Sequence, residues 1–267
     1  MKFALAQINS TTTVADNLDK VRDYTNRAAE AGAEFVVFPE ATMSAFGPGL
    51  RDVAEANTES WRSEMTQLAA EAGITVIVGE FATSGEKVIN LLAVYTPEGE
   101  REDYAKIHLY DAFGFKESDT VVPGEDPVVI DLAGESVGLT LCYDIRFPKL
   151  YAEVSRRGAK LAIVSASWGA GKGKVEQWET LARARALDSN MFVAAIGQAD
   201  PEVSGVEVPQ KGPTGVGHSL VSDPFGHVIT SLDGHEALEV VEVDLAVADK
   251  AAEAIPVLAN AKLGYRG

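Results

Sequence analysis

The sequence predicts an α/β protein made of two packed β-sheets with helices on their outer faces. Three observations carry this. Strand and helix signals alternate along the chain. Roughly a dozen strand signals are too many for one ordinary open sheet. With 46% hydrophobic and 24% charged residues among 267, the chain can bury a substantial core. Two sheets packed together, with helices outside, accommodate that strand count economically.

The elements follow in order. FALAQIN (3–9) reads as a first strand whose apolar run is too short for a signal peptide. Val14 to Ala31 is an amphipathic helix, with Leu18, Val21, Tyr24 and Ala28 at helical spacing and Gly32 as its stop. FVVF (35–38) is a buried strand. A second helical run spans roughly 50 to 72 and ends at Gly73, before the strand ITVIVGEF (74–81). NLLAVYT (90–96) and EDYAKIHLY (102–110) form a hairpin about PEG (97–99). VVID (128–131) and SVGLTLCYD (136–144) precede a helix opening near Pro148, the strand LAIVSAS (161–167) and a helix from about Lys174 to Asn190. FVAAIGQ (192–198), HSLVSD (218–223), HVITSL (227–232) and EALEVVEVDL (236–245) complete the strands, and a short helix and a tail follow. No linker, repeat or composition shift divides the chain, so residues 1–267 read as one domain. Residues 199–217 are a long Gly/Pro-rich connection, either a lid or an ordinary excursion.

The formal net charge of −17 argues against nucleic acid, which needs a basic face, and against an anionic membrane. A small anionic substrate stays open, because distant surface charge is screened over ~8 Å and a few local cations can dominate a pocket. One cysteine excludes an intrachain disulfide and fits a reducing compartment, so the expected location is the cytoplasm. No segment approaches the ~20 apolar residues needed to span a membrane.

Three residues form a chemical set. Pro39 ends FVVF and leaves Glu40 just past a strand end, where α/β sheets usually bind ligands. Alternation in EDYAKIHLY places Tyr104, Lys106, His108 and Tyr110 on one face. In SVGLTLCYD, Gly138, Thr140 and Cys142 share a face, and Cys142 sits where the strand stops. A thiol is mostly un-ionised near neutral pH; a carboxylate can take its proton during attack, and an ammonium stabilises the oxyanion that attack creates. Glu40, Lys106 and Cys142 together make an acyl-transfer apparatus without histidine. Singly, each has a plain alternative: a core thiol, a solvated lysine, a solvated glutamate.

FPE (38–40), YAKIHLYD (104–111) and LTLCYDIRFP (139–148) resemble the three signature stretches of the nitrilase, or carbon–nitrogen hydrolase, superfamily, and the likeness runs in order through GHSLVSDPFG (217–226). The resemblance implies a four-layer αββα sandwich of two mixed β-sheets flanked by helices, a homodimer, and hydrolysis of nonpeptide C–N bonds through a cysteine thioester with no cofactor. It assigns Cys142 as nucleophile, Glu40 as general base and Lys106 as oxyanion stabiliser, with the Tyr143 N–H as second oxyanion donor. FKESDTVVPGE (115–125) resembles the stretch that supplies the family's second glutamate, which would fall on Glu117 and help position substrate or water; its plain alternative is a solvated loop carboxylate. CYDIRFP (142–148) and RARALD (183–188) are most similar to the omega-amidases and deaminated-glutathione amidases. Those branches carry Gly-Pro-x-His-Trp after the LAIVSAS strand; here Trp178 matches, while Lys174, Val175 and Gln177 replace the Gly, Pro and His.

Other residues invite either a functional or a structural reading. Lys172 and Lys174 could hold a substrate carboxylate, or be solvated. Trp168 could wall the pocket or pack in the core. Asp144 and Arg146 could touch substrate, but are expected to pair and fix the turn. Glu80 could line the same sheet edge. His108 supports a rival Cys–His hydrolase, and His218, His227 and His235 lack metal-ligand spacing. The leading expectation is an amidase acting on a small carboxamide. An N-carbamoyl hydrolase or nitrilase is the enzymatic alternative, and a binding module that keeps the fold is the non-enzymatic one. The tail, 255–267, is expected to dock on a partner subunit.

Overall fold

The computed structural model describes residues 1–207 and 213–262. Its first half runs β1 (Lys2–Gln7), α1 (Val14–Glu30), β2 (Phe35–Val37), α2 (Leu50–Ala72), β3 (Thr75–Ser84), β4 (Lys87–Tyr95) and β5 (Arg101–Ala105). A small hairpin, β6 (Asp111–Ala112) with β7 (Phe115–Lys116), leads through a 3₁₀ turn (Glu117–Asp119) into β8 (Val121–Val122). The second half runs β9 (Val128–Leu132), β10 (Glu135–Leu141), a 3₁₀ turn (Cys142–Arg146), α3 (Pro148–Arg156), β11 (Leu161–Ala166), α4 (Lys174–Ser189) and β12 (Phe192–Gly197). It ends with α5 (Pro201–Ser204), β13 (Leu220–Ser222), β14 (Val228–Ser231), β15 (Ala237–Glu242), α6 (Ala246–Ala254) and α7 (Val257–Asn260).

The strands form two mixed sheets. One has the order β15-β1-β2-β3-β4-β5, with β8 beside β4; the other has the order β14-β13-β12-β11-β10-β9. In each, three central strands run parallel, β1-β2-β3 and β10-β11-β12, and antiparallel strands flank them. Alternation along each strand sorts side chains between two cores. Phe3, Leu5 and Phe35 face Leu139, Ile163 and Phe192 in the core between the sheets. Ala4, Ala6 and Val36 face outward, against Tyr24 of α1 and Trp61 of α2. Ala162 and Val164 of the second sheet face outward against α3 and α4 in the same way. The result is the four-layer αββα sandwich.

The helices end where local chemistry stops them. α1 buries Val21, Tyr24 and Ala28, and Gly32 follows it with φ +77°. Gly73 closes α2 with φ +68° and donates to the Ala69 carbonyl. Among the described residues, no helix is long and apolar enough to cross a membrane.

One expectation needs correction. The alternation in EDYAKIHLY suggested a strand through Tyr110, but β5 ends at Ala105. Tyr104 enters the inter-sheet core, and His108 and Tyr110 lie on irregular backbone beyond it. Residues 208–212 of the Gly/Pro-rich connection and 263–267 of the tail lie outside the described residues, and with them much of the lid and docking readings.

Candidate active site

The site gathers at the carboxyl ends of strands from both sheets, as open α/β sheets lead one to expect. Glu40 follows β2 by three residues and is completely buried. Gly79 on β3 makes that position available: a Cβ there would lie 2.5 Å from the Pro39 carbonyl oxygen and 2.6 Å from the Ala41 nitrogen. Ala41 itself turns with φ +59°. From the opposite sheet, the Ser167 N–H donates to Glu40 Oε2 at 2.8 Å, and Gln198 Nε2 donates to the Glu40 carbonyl at 2.9 Å. Glu40 is therefore gripped by both sheets.

Lys106 lies one residue past β5 and is 2% exposed. Its Nζ donates to Glu40 Oε1 at 2.8 Å and to both Glu117 oxygens at 2.9 and 3.0 Å. Glu117 opens the 3₁₀ turn and is itself buried, so the solvated-loop alternative does not hold for it. The Tyr110 N–H donates to Glu117 Oε2 at 2.7 Å. Asn90 Nδ2 bridges the two carboxylates, 2.8 Å from Glu40 Oε1 and 3.2 Å from Glu117 Oε1. Burial opposes a charge on Lys106, but Glu117 and Glu40 outweigh it and hold the ammonium well above its usual range. Such a charge is tolerable in the interior only because every donor meets an acceptor.

Cys142 begins the turn after β10 in the left-handed region, with φ +46°. That conformation is costly for a residue with a Cβ and holds only where the surroundings impose it. The surroundings here are Asp144: its Oδ2 accepts from the Leu141 N–H at 2.9 Å and the Tyr104 hydroxyl at 2.7 Å. Its Oδ1 accepts from the His108 N–H at 3.0 Å and meets His108 Nδ1 at 2.7 Å. One buried carboxylate thus ties the Cys142 turn to the segment carrying Lys106. Buried Arg185, within RARALD, donates to the Ile145 carbonyl at 2.9 Å and secures the far end of the turn. Burial, and then Glu40, push the Cys142 thiol well above its usual value against the pull of Lys106.

Cys142, Lys106 and Glu117 open onto one small cleft. Phe46, Tyr110, Phe115, Tyr143 and Trp168 wall it, and Arg146 and Lys174 flank it. Trp168 is both wall and core: it packs on Trp178 with centroids 5.3 Å apart and donates from Nε1 to the Lys174 carbonyl at 3.0 Å. The Lys174 ammonium stands 4.4 Å from the Phe113 ring centroid and 5.9 Å from that of Trp168. Partial burial, together with neighbouring Arg146, lowers its proton affinity.

Four expectations change. Lys172 is exposed and does not line the cleft. Arg146 does not pair with Asp144: it stacks over Trp168 at 5.1 Å and donates to Gln177 Oε1 at 2.7 Å. Asp144 already takes hydrogen bonds from Tyr104, Leu141 and His108, which leaves Arg146 to the cleft. Glu80 points the opposite way, toward α2, where it binds Arg62, Arg101 and the Tyr95 hydroxyl. His108 engages Asp144 and stacks on Phe147 at 3.7 Å, away from the Cys142 cleft. Sequence reasoning passed over Asn90, Phe46 and the Ser167 N–H. The signal available for Asn90 was an amide inside the apolar run VINLLAVY (88–95).

Comparison with known proteins agrees with this geometry. The family model described as carbon–nitrogen hydrolase matches residues 2–253. A hydrolase of Mycobacterium tuberculosis is 52% identical over 97% of this chain and 95% of its own length. The omega-amidase NIT2 of Mus musculus is 31% identical over 96% of this chain and 93% of its own. A solved amidase from Nesterenkonia sp. AN1, carrying acrylamide on its active-site cysteine, superposes with a TM-score of 0.81 at 26% identity, covering 95% of this chain and 98% of that one. The reading as a non-enzymatic binding module is thereby set aside. The chain belongs to the carbon–nitrogen hydrolase family, within the nitrilase superfamily, and is a hydrolase of C–N bonds.

Proposed function

We propose that the protein hydrolyses a small carboxamide bearing a carboxylate to the corresponding acid and ammonia, through a thioester on Cys142. The observation that carries the reaction is the buried cluster of Glu40, Lys106 and Glu117 beside the Cys142 thiol at one cleft. Because that thiol rests protonated, attack needs a base at the moment of reaction. Glu40 takes the Sγ proton as sulfur adds to the carbonyl carbon. Lys106 and the Tyr143 N–H hold the resulting oxyanion, and Glu117 keeps Lys106 oriented. Collapse breaks the C–N bond, and ammonia departs with the proton returned by Glu40. A water molecule, deprotonated by the same carboxylate, then adds to the thioester, releases the acid and restores the thiol.

The carboxylate follows from charge. Among the described residues, neither Arg146 nor Lys174 has a carboxylate partner, in a chain whose net charge is −17. Two cations left facing one cleft favour an anionic substrate end. A cytoplasmic homodimer completes the proposal, with the whole chain acting as one catalytic domain.

Ammonia release across dicarboxylic monoamides, neutral amides, N-carbamoyl amino acids and nitriles tests the reading. Wild type should prefer the monoamides, and Cys142→Ala should release nothing. Arg146→Leu and Lys174→Met should each raise KM for the monoamides by roughly 10- to 100-fold, as expected for losing a hydrogen bond to a charged group, with little effect on neutral amides. Lys172→Met should behave as wild type. Turnover by Cys142→Ala would end the thioester mechanism, and preference for a neutral amide would end the carboxylate assignment.

A further inference from the structure

We infer that Asn90 is a positioning residue for this hydrolysis: its side-chain amide spans Glu40 and Glu117 and holds both carboxylates in place while Lys106 is drawn to the oxyanion. The inference rests on the thioester reading above. Asn90 is fully buried near the start of β4, a strand that is otherwise apolar from Val88 to Tyr95 apart from its terminal hydroxyl. An amide there is expensive to bury unless it is hydrogen-bonded. Its backbone carbonyl accepts the Lys106 N–H at 3.0 Å, so residues 90 and 106 sit side by side between the sheets. Nδ2 then reaches Glu40 Oε1 at 2.8 Å and Glu117 Oε1 at 3.2 Å.

The amide orientation follows from its neighbours. Reversed, Oδ1 would face two carboxylate oxygens. In the observed orientation Oδ1 has no hydrogen-bond partner among the described residues. A buried amide that leaves its acceptor unpaired to aim its donor at two carboxylates is placed for that donation, not for packing.

Lys106 cannot do this alone. Its three donors already serve Glu40 Oε1 and both Glu117 oxygens, and the same ammonium must meet the developing oxyanion. As it turns to that oxygen, the carboxylates lose part of their tether. The titratable groups around Asn90 are Glu40, Lys106, Glu117 and, beyond them, Cys142; the Ser167 and Tyr110 N–H groups each hold one carboxylate, whereas Asn90 is an uncharged side-chain donor that spans both. It lies behind the carboxylates and does not line the cleft, so it holds them without competing for the substrate.

The test compares Asn90→Leu and Asn90→Asp, each checked for native circular dichroism, on the best amide of the panel above. Asn90→Leu should lower kcat by roughly 10- to 100-fold, the loss expected for a hydrogen bond to a charged group, with KM within about twofold. Asn90→Asp keeps the size but replaces the donor by an acceptor, and should do no better. A wild-type kcat in Asn90→Asp, or a raised KM with unchanged kcat in Asn90→Leu, overturns the inference. A second readout needs no Asn90 variant: the Asn90 side-chain amide protons should exchange slowly in wild type, and their NMR resonance should move in Glu40→Gln. A resonance that stays put also overturns it. Turnover surviving in Cys142→Ala would fail the thioester reading itself, whereas a dead Cys142→Ala beside a fully active Asn90→Leu removes only the role of Asn90.

Discussion

Cys142 concentrates the proposed chemistry in one residue. Its burial and the adjacent Glu40 work against a standing thiolate, and outweigh the pull of Lys106. This sets a sign for its reactivity. An ordinary thiol titrates near pH ~8.5, and alkylation levels off above that value. With the pKa of Cys142 raised, alkylation by iodoacetamide should be slow at pH 7 and still climbing past pH 9. A plateau reached by pH 7 would mean a standing thiolate and remove the need for Glu40 as base. That Glu40, Lys106 and Cys142 would lie together was legible in the sequence, because their chemistry is complementary at strand ends. The direction of Arg146 was not. Two residues from Asp144, its natural partner by proximity, it was left to the cleft because Tyr104, His108 and Leu141 had filled that carboxylate's acceptor sites.

Among the elements, β3 shows how a strand places a buried carboxylate it does not carry. Its Gly79 leaves room for the Pro39–Ala41 backbone, and its carbonyl accepts the Met43 N–H at 2.9 Å. Gly79→Ala would force that backbone away. A displacement of about 1 Å at a catalytic group can cost 10²-fold in rate, and overpacking of this kind typically costs about 1–3 kcal/mol. Steady-state kinetics and a urea melt should therefore both change; a variant with wild-type kcat would mean that Glu40 does not depend on this contact. Helix limits were readable from apolar periodicity and stop glycines, as Gly32 and Gly73 bear out. The end of β5 was not, because alternation in YAKIHLY persists after the ladder has stopped at Ala105. Side-chain pattern records which residues are apolar, whereas a strand ends where its neighbour stops offering hydrogen bonds.

Across the whole molecule, the two sheets share one plan: three parallel strands joined by outer helices, then two antiparallel strands on the far side and one on the near side. No repeat in the sequence announces it, because the facing layers are filled by different residues of similar size. The inter-sheet core holds the halves, and with them the two sides of the site, together. Leu5→Ala, on β1 and far from Cys142 in sequence, should cost about 2–5 kcal/mol as a buried cavity. The melting temperature should fall by several degrees, since each kcal/mol moves it by about 2–4 °C in a domain of this size. Thr in place of exposed Val228 should leave it unchanged. Equal melting temperatures for the two variants would deny the inter-sheet core its role in stability.

The sequence by itself determined the layers and pointed to the proposed chemistry. Apolar periodicity decides which face of each element is buried, and a carboxylate, an ammonium and a thiol at strand ends suffice to suggest acyl transfer. Only the tertiary structure decided which charges meet. Asn90, Glu117 and Ser167 reach Glu40 or Lys106 from separate elements, and Arg146 and Lys174 flank the cleft without carboxylate partners among the described residues. The physical reason is range. Burial pattern is written locally, residue by residue, while a hydrogen bond or an ion pair depends on ångström-scale distances that exist only once both sheets have packed.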